Sequence, residues 1–382
     1  MNLSRTPTYP DSRAVADTVQ EHFARHIAAA HLQGEQNLTS QPDTLTIEAI
    51  INAAFWASLR REESYFPKIS FAFLPPEQAE QPLTFERMLP FTPGALARLA
   101  PAVERPGIHL GVWRYENELC VWGTAHIIPR FCFVLEVIEP GLLVIKYRRG
   151  QLSSKFVNVA VLEGDQLKVV DEESARLPDC PTLLASLLGF SPYSSSSDTI
   201  NVLVQLAVSM RAHGRGGSIL VVPQGSDLWR ESILWPITYF VLPHFSELSE
   251  LIRQDPGNRR ERLWQEALGR AVDVVAGFTA VDGATLINDQ YELLAFGAKI
   301  GPRQGGAQVE QVLTTEPVVG AAASVVNPVL LGGTRHLSAA QFVQDQRDSL
   351  ALVASQDGRF TIFAWSSCEE MVHAHRVETL LL

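Results

Sequence analysis

Cysteine is scarce in this sequence and never closely spaced. Cys120, Cys132, Cys180 and Cys368 are the four in 382 residues, and no CxxC pair occurs among them. That spacing argues against a zinc framework or a disulfide scaffold and fits reduced thiols in a cytoplasmic protein. Positive charge is also short: 31 Lys and Arg stand against 42 Asp and Glu, a formal net charge of −11. A generic polyanion-binding surface is therefore not expected, and nucleic acid is not an expected partner. A nucleotide site survives this argument, because it needs only a few local cations and backbone amides.

Long apolar runs are missing too. Residues 233–245 form a short stretch that contains Pro236 and Pro243; residues 317–334 carry Asn327, two prolines and a Gly/Ala-rich body. A membrane span needs about 20 predominantly apolar residues, so both read as buried or loop segments and no membrane partner is expected. The start, Met1 to Arg13, is polar and lacks an apolar core, which predicts no signal peptide. What remains is an ordinary globular balance of 46% apolar and 19% charged residues, in a length that suggests two or three domains.

Val15, Val19, Phe23 and Ile27 repeat every four residues after Asp11-Ser12, which predicts an opening amphipathic helix. A polar stretch over 33–43 separates it from a second helix at about 46–61. Strand-like runs follow at 69–74, 108–113, 119–123, 131–138, 142–147 and 156–162, punctuated by Glu139-Pro140-Gly141 and Glu163-Gly164-Asp165. These predict a strand-rich α+β module with an antiparallel sheet. The charged, loop-like stretch 171–181 marks a domain boundary, giving domains 1–175 and 176–382.

The second half alternates helix and strand, as α/β layer domains do. Ser197-Asp198 reads as the cap of a helix with Ile200, Leu203, Val204, Ala207 and Met210 on its apolar face, and Gly216-Gly217 leads into a buried strand at 218–222. A helix at 259–276 precedes a hairpin of 284–287 and 291–296. Beyond a Gly/Ala-rich insert come a helix at 334–346 and a second hairpin, 350–354 with 360–365.

Two short strings in this half carry candidate chemistry. Asp282-Gly283 stands before a strand; such a pair is most often only a turn former, but a carboxylate there can also hold a divalent cation on phosphate oxygens. Gly283 would let backbone approach a nucleotide closely. In Gly333-Thr334-Arg335-His336, Arg335 offers a planar donor fork to phosphate, Thr334 is the expected helix cap, and the first-turn amides add donors. Read alone, an Arg-His pair is more often surface decoration. Other candidates read blandly. His22, His26 and His31 suit a solvated helix face, and His373-Ala374-His375 a strand or tail face. Residues 213–217 lack the Gly-Lys-Ser/Thr of a P-loop, and Trp113, Tyr115, Trp122 and Phe131 suit core packing or a ligand-sensing pocket.

The order of these strings resembles the diadenylate cyclase domain. Residues 206–222 are similar to its first helix and core strand, Asp282-Gly283-Ala284 to its Asp-Gly-Ala motif, and Gly333-Thr334-Arg335-His336 to the start of its Gly-Thr-Arg-His-Arg motif. Residues 348–358, with Ser355-Gln356-Asp357, resemble its closing strand and Ser-Glu-Glu turn. The resemblance spans roughly the last half of the chain. It implies an α/β fold with a mixed twisted sheet flanked by helices, and condensation of two ATP into cyclic di-AMP and pyrophosphate. It also implies Mg²⁺ or Mn²⁺ on Asp282, catalytic roles for Asp282, Arg335 and His336, and nucleotide contacts from Gly283, Ala284, Gly333, Thr334, Arg335, His336, Ser355, Gln356 and Asp357. A homo-oligomer with facing sites is implied as well. Asn158-Val159 in the first half resembles the sensor module called DACNV, which precedes this domain in some bacterial proteins.

The departures bear on activity. Leu337 stands where the motif has its second arginine, and Gln356 where it has its first glutamate; the connection 301–332 is longer than in typical members. Loss of a charge-assisted phosphate contact is expected to weaken triphosphate binding, and an arginine at 337 to raise ATP affinity or activity, provided that position 337 faces the phosphates. Lys299 and Arg303 are the spare cations nearby. These changes leave an alternative, a catalytically attenuated nucleotide-binding sensor, and a third reading as an interaction scaffold.

Overall fold

The computed structural model describes residues 9, 12–32, 39–148, 156–176, 180–188, 201–234, 239–255 and 261–382. The chain divides into two compact units, 1–170 with Leu382, and 171–381. Among the described residues, no helix is long and apolar enough to cross a membrane.

In the first unit, α1 (Ser12–Leu32) buries Val15, Val19 and Phe23, the stripe its four-residue period marks. Asp11 lies outside the described residues. His22 is buried as well, contrary to a solvated His22/His26/His31 face. In α2 (Thr44–Ser58), Asp43 is the N-cap, its carboxylate accepting from the Thr46 amide at 2.7 Å. A hydrogen bond with the Thr46 side chain is the first cause holding the Asp43 carboxyl below its ordinary value, and this amide bond the second. Its buried face, Ile47, Ile50, Ile51, Ala54 and Ala57, packs with α1 into the main core of the unit.

The sheet beneath comprises β1 (Ile69–Phe73), β2 (Leu83–Pro90), β3 (His109–Tyr115), β4 (Glu118–Ala125), β5 (Phe133–Glu139), β6 (Leu142–Arg148), β7 (Phe156–Glu163) and β8 (Gln166–Val169), with α3 (Pro93–Leu99) between β2 and β3. Their order is β2-β4-β3-β1-β5-β6-β7-β8. The sheet is mixed rather than antiparallel throughout, because β1 pairs in parallel with β3 after a crossover through β2 and α3. Edge strand β2 had no legible alternation, since only Phe85 and Leu89 are even half-buried. A second cluster that includes Ala72, Leu74, Cys132 and Val134 surrounds Trp122, whose indole donates to the Leu74 carbonyl at 2.8 Å. Gly111 makes room for that ring.

The second unit has α4 (Thr182–Leu187), α5 (Val202–Ala212), β9 (Gly217–Val222), β10 (Tyr239–Phe245), α6 (Glu247–Arg253), α7 (Arg262–Phe278), β11 (Ala284–Asn288) and β12 (Leu293–Ala298). It continues through β13 (Val312–Thr315), β14 (Ser324–Val326), α8 (Val329–Gly332), α9 (Thr334–Asp345), β15 (Leu350–Ala354), β16 (Phe360–Ser366) and β17 (Met371–Arg376). Strand order is β10-β12-β11-β9-β15-β16-β17-β13-β14, with parallel pairs β9/β11 and β13/β17. Together the two units give the mixed α/β architecture that the helix–strand alternation implies.

One face of this sheet, with Leu220, Leu286, Val353, Phe363 and Val372, packs on Ala339, Ala340, Phe342 and Val343 of α9. The intervening Ile219, Ile287, Leu352 and Ile362 are equally buried, so both faces are covered, and α5 and α7 pack on the sheet as well. Ser197-Asp198 lie outside the described residues; α5 is capped by Asn201, whose side-chain oxygen accepts from the amides of Leu203 and Val204 at 3.1 and 3.3 Å. Residues 233–245 and the insert after β12, read as buried or loop segments, contribute the edge strand β10 and, at the other margin, β13 and the edge strand β14. His373 and His375 are buried on β17, both near the Thr315 hydroxyl, at 2.9 and 3.2 Å.

A Cβ on Gly111 would stand 2.1 Å from the Trp122 ring. Gly111→Ala should therefore destabilise the protein by about 1–3 kcal/mol through overpacking. Urea unfolding followed by tryptophan fluorescence reads this as an earlier transition; an unchanged midpoint would show that the ring has room to shift.

Candidate functional site

Pairing within the second sheet decides where the two strings meet. Thr285 of β11 stands beside Ile219 of β9, and Ala354 of β15 beside Gly217 of β9. Because β11 runs parallel to β9 and β15 antiparallel to it, three points come to one edge: the start of β9, the start of β11 and the end of β15. Asp282-Gly283, Gly216 and Ser355-Gln356-Asp357 are the residues just beyond those strand ends. Close packing holds the edge together. A Cβ on Gly217 would lie 2.5 Å from the Thr279 carbonyl oxygen at the end of α7, and the Thr279 hydroxyl faces the His213 ring at 3.0 Å.

Gly283 adopts a φ of +112°, and a Cβ there would stand 2.4 Å from the Gly297 carbonyl carbon. No other residue type fits so close a crossing of β11 and β12. Asp282 just before it points outward, its side chain 86% exposed, and its carboxylate meets the Lys299 ammonium at 2.6 Å. That hydrogen bond and the lysine charge hold the Asp282 carboxyl below its ordinary value, and the Arg335 charge acts in the same direction. Among the described residues, no set of three His, Cys, Asp or Glu ligands includes Asp282. A lone exposed carboxylate suits a divalent cation that arrives with a nucleotide and keeps phosphate and water as its other ligands, rather than a resident ion.

Gly333, with φ +80° and ψ −150°, breaks the chain between α8 and α9 and is the N-cap of α9, with no side-chain cap bond. Thr334 is thus the first helical residue and not the cap. The uncapped first turn leaves amides directed off the end of the helix, where anions are favoured. Arg335 reaches back across the edge: its Nη1 lies 3.0 Å from where a Gly216 Cβ would stand, a point also 3.1 Å from the Ala354 carbonyl oxygen and 3.3 Å from Gln356 Cγ. The Arg335 side chain makes no ion pair or hydrogen bond among the described residues. Gln356 donates to the Arg215 carbonyl at 3.3 Å.

Asp282, Gly283, Arg335 and the Ser355–Asp357 turn therefore share one edge, but not every residue of the two strings faces outward there. Asp357 is paired with Arg359 at 3.4 Å. Ala284 is a buried strand residue. His336 is fully buried, its Nε2 near the Thr361 hydroxyl at 3.2 Å and its ring edge-on to Phe363. A Cβ on Gly332 would lie 2.3 Å from that ring, so Gly332 and His336 pack as a pair beneath the site. Burial lowers the His336 pKa to about 4 and keeps it neutral near pH 7.

The two spare cations part company. Lys299 sits on Asp282. Arg303 lines a cleft of about 370 Å³ at the opposite edge of the sheet, with Val222, Trp229, Asp345 and Arg347, and its amide donates to Asp345 at 3.0 Å. Leu337 packs against the core beneath α9 and lines a second cleft with Val309, Val325 and Val326 of the insert.

Residues 36–126 match the family described as Probable sensor domain DACNV. The match runs across α2, β1, β2, α3, β3 and β4, so a sensor domain is present in the first unit. It ends well before Asn158-Val159, the pair on which the sensor resemblance rests in the sequence. No curated protein matches the chain.

Of the buried imidazoles three have strongly lowered pKa values, with burial the first cause of each: to about 3 for His109, about 4 for His336 and about 3 for His375. The unfolded chain takes up these protons below its ordinary value of 6.5, whereas the folded protein does so only near 3–4. Their stabilisation is complete above that ordinary value and is lost as pH falls through the folded values, by about 1–2 kcal/mol per ring at pH 5. Urea midpoints at pH 7 and pH 5 test this: stability should drop at pH 5, and the drop should shrink in His336→Gln.

Proposed function

We propose that the second unit is a nucleotide site of the diadenylate cyclase kind, acting under the control of the sensor domain in the first unit. The observation that carries this reading is the convergence of Asp282-Gly283, Arg335 and the Ser355–Asp357 turn, far apart in sequence, on one sheet edge with an unpaired arginine at its centre. Arg335 and the first-turn amides of α9 would take phosphate oxygens of ATP, and Gly216 and Gly283 would let the nucleotide lie against backbone. His336 and Ala284 would hold that floor in place from beneath.

In the reaction, the 3′-oxygen of one ATP attacks the α-phosphorus of another and pyrophosphate leaves; repeating the step in the other direction closes the ring of cyclic di-AMP and releases a second pyrophosphate. Each edge presents contacts for one nucleotide, so two copies must face each other for the reaction to proceed. Mg²⁺ or Mn²⁺ carried by the nucleotide would neutralise charge on the transferring phosphoryl group. Asp282 would anchor it, and positioning supplies most of the rate.

A second reading, nucleotide binding with attenuated turnover, is favoured by one arrangement: a lysine already occupies Asp282, and no arginine stands at 337. Incubation with ATP and Mn²⁺ followed by chromatography separates the two. Cyclic di-AMP supports the cyclase, and saturable binding without product supports the sensor. Absence of ATP binding would overturn both.

Asp282→Asn should fold normally and abolish turnover, since the amide keeps the shape and removes the charge that holds the cation. Product formation measured beside the wild type checks this, and full activity in the variant would take Asp282 out of the site. Leu337→Arg should cost stability, roughly 1–3 kcal/mol for placing a charge against an apolar core, without strengthening ATP binding. Urea unfolding and ATP calorimetry on the variant read both effects. The gain expected from the motif required position 337 to face the phosphates, whereas the Leu337 side chain packs against the insert.

A further inference from the structure

Lys299 is placed with unusual care for a half-exposed residue. Its carbonyl accepts from the Leu234 amide at 2.7 Å, Ile300 bridges to Ile233, and Ala298 before it is buried and paired with Ala284. The backbone is thus fixed on both sides, and only the four-carbon stem can swing. Its ammonium lies 2.6 Å from Asp282, with side chains 36% and 86% exposed for the lysine and the aspartate. An ion pair this open to water is weak and readily exchanged. The neighbourhood also has an excess of cation, because Arg335 adds its charge to the same carboxylate. Position 337 is an apolar residue turned to the insert, Arg303 is held at the opposite edge, and Arg359 is already paired with Asp357 at 3.4 Å.

We infer that Lys299 is a switchable counter-ion: it neutralises Asp282 while the site is empty and turns onto the phosphates of a nucleoside triphosphate once a divalent cation takes the carboxylate. The inference rests on reading this edge as a nucleotide site. It gives the edge the second phosphate-directed cation that Leu337 does not supply. A lysine suits the task better than an arginine fork would, because a compact ammonium on a flexible stem exchanges partners without a fixed planar geometry.

The test uses the full chain, with calorimetric titration of a non-hydrolysable ATP analogue in Mg²⁺ and, separately, of Mn²⁺ alone. Lys299→Met, with Lys299→Gln as a second variant and thermal melting as a check on folding, should weaken the magnesium–analogue complex roughly tenfold through loss of a charge-assisted contact. The same variants should bind Mn²⁺ alone more tightly, because the carboxylate is freed. Lys299→Arg should recover most of the nucleotide affinity. Unchanged or stronger analogue binding in Lys299→Met, beside a wild type that binds, would overturn the inference and leave the nucleotide site standing. A wild type that binds no analogue would overturn the nucleotide reading itself.

Discussion

The parallel pairing of β11 with β9 is the constraint on which the rest of the second unit depends. If β11 were paired in the other direction, Asp282 would lie at the far end of the sheet from Arg335 and the Ser355 turn. The pairing is tight because glycines occur where chains cross. Gly283 lies against Gly297, Gly217 against Thr279, and Gly216 against Arg335, each with too little room for a Cβ to be added without displacement. Close backbone approach and φ values of +112° at Gly283 and +68° at Gly216 are conditions that a side chain would meet only with strain.

The charge on that edge runs against the character of the chain. A protein with a formal net charge of −11 has placed Arg335, Lys299 and the uncapped start of α9 within one small area, beside the exposed carboxylate of Asp282. Local arrangement, not net charge, decides what such an edge attracts. His336 contributes by a different route. It is neutral and buried, and it ties the first turn of α9 to Thr361 of β16, so its effect on any ligand passes through the position of Arg335.

Much of this was legible in the sequence, and the parts that were not have physical causes. Strands β9, β11 and β15 and helix α9 announce themselves by apolar runs bounded by glycine and Asp-Gly turns. Strands β10, β13 and β14 do not: they lie at the sheet margins, and residues such as Tyr239, Phe240, Leu242 and Val325 are exposed, so no alternation marks an inner face. The N-cap of α5 is Asn201 rather than Ser197-Asp198, and that of α9 is Gly333 rather than Thr334, because several residues near each helix start can serve as a cap. Lys299 could be named from the sequence only as a spare cation; its contact with Asp282 arises from the β11–β12 pairing, which sequence spacing does not reveal. The sensor domain was expected from residues in β7, whereas the family match lies in the segment from α2 to β4.

The general habit of α/β sheets is to bind ligands beyond the carboxyl ends of parallel strands, which here is the edge with the cleft around Trp229, Arg303 and Arg347, not the edge with Asp282 and Arg335. Hydrogen exchange with and without magnesium–ATP decides between the two directly. The account predicts added protection in residues 282–284, 333–337 and 354–358, with little change at 223–229, 303–307 and 344–349. Protection confined to the second group would place the ligand at the cleft and contradict the assignment of the Asp282–Arg335 edge.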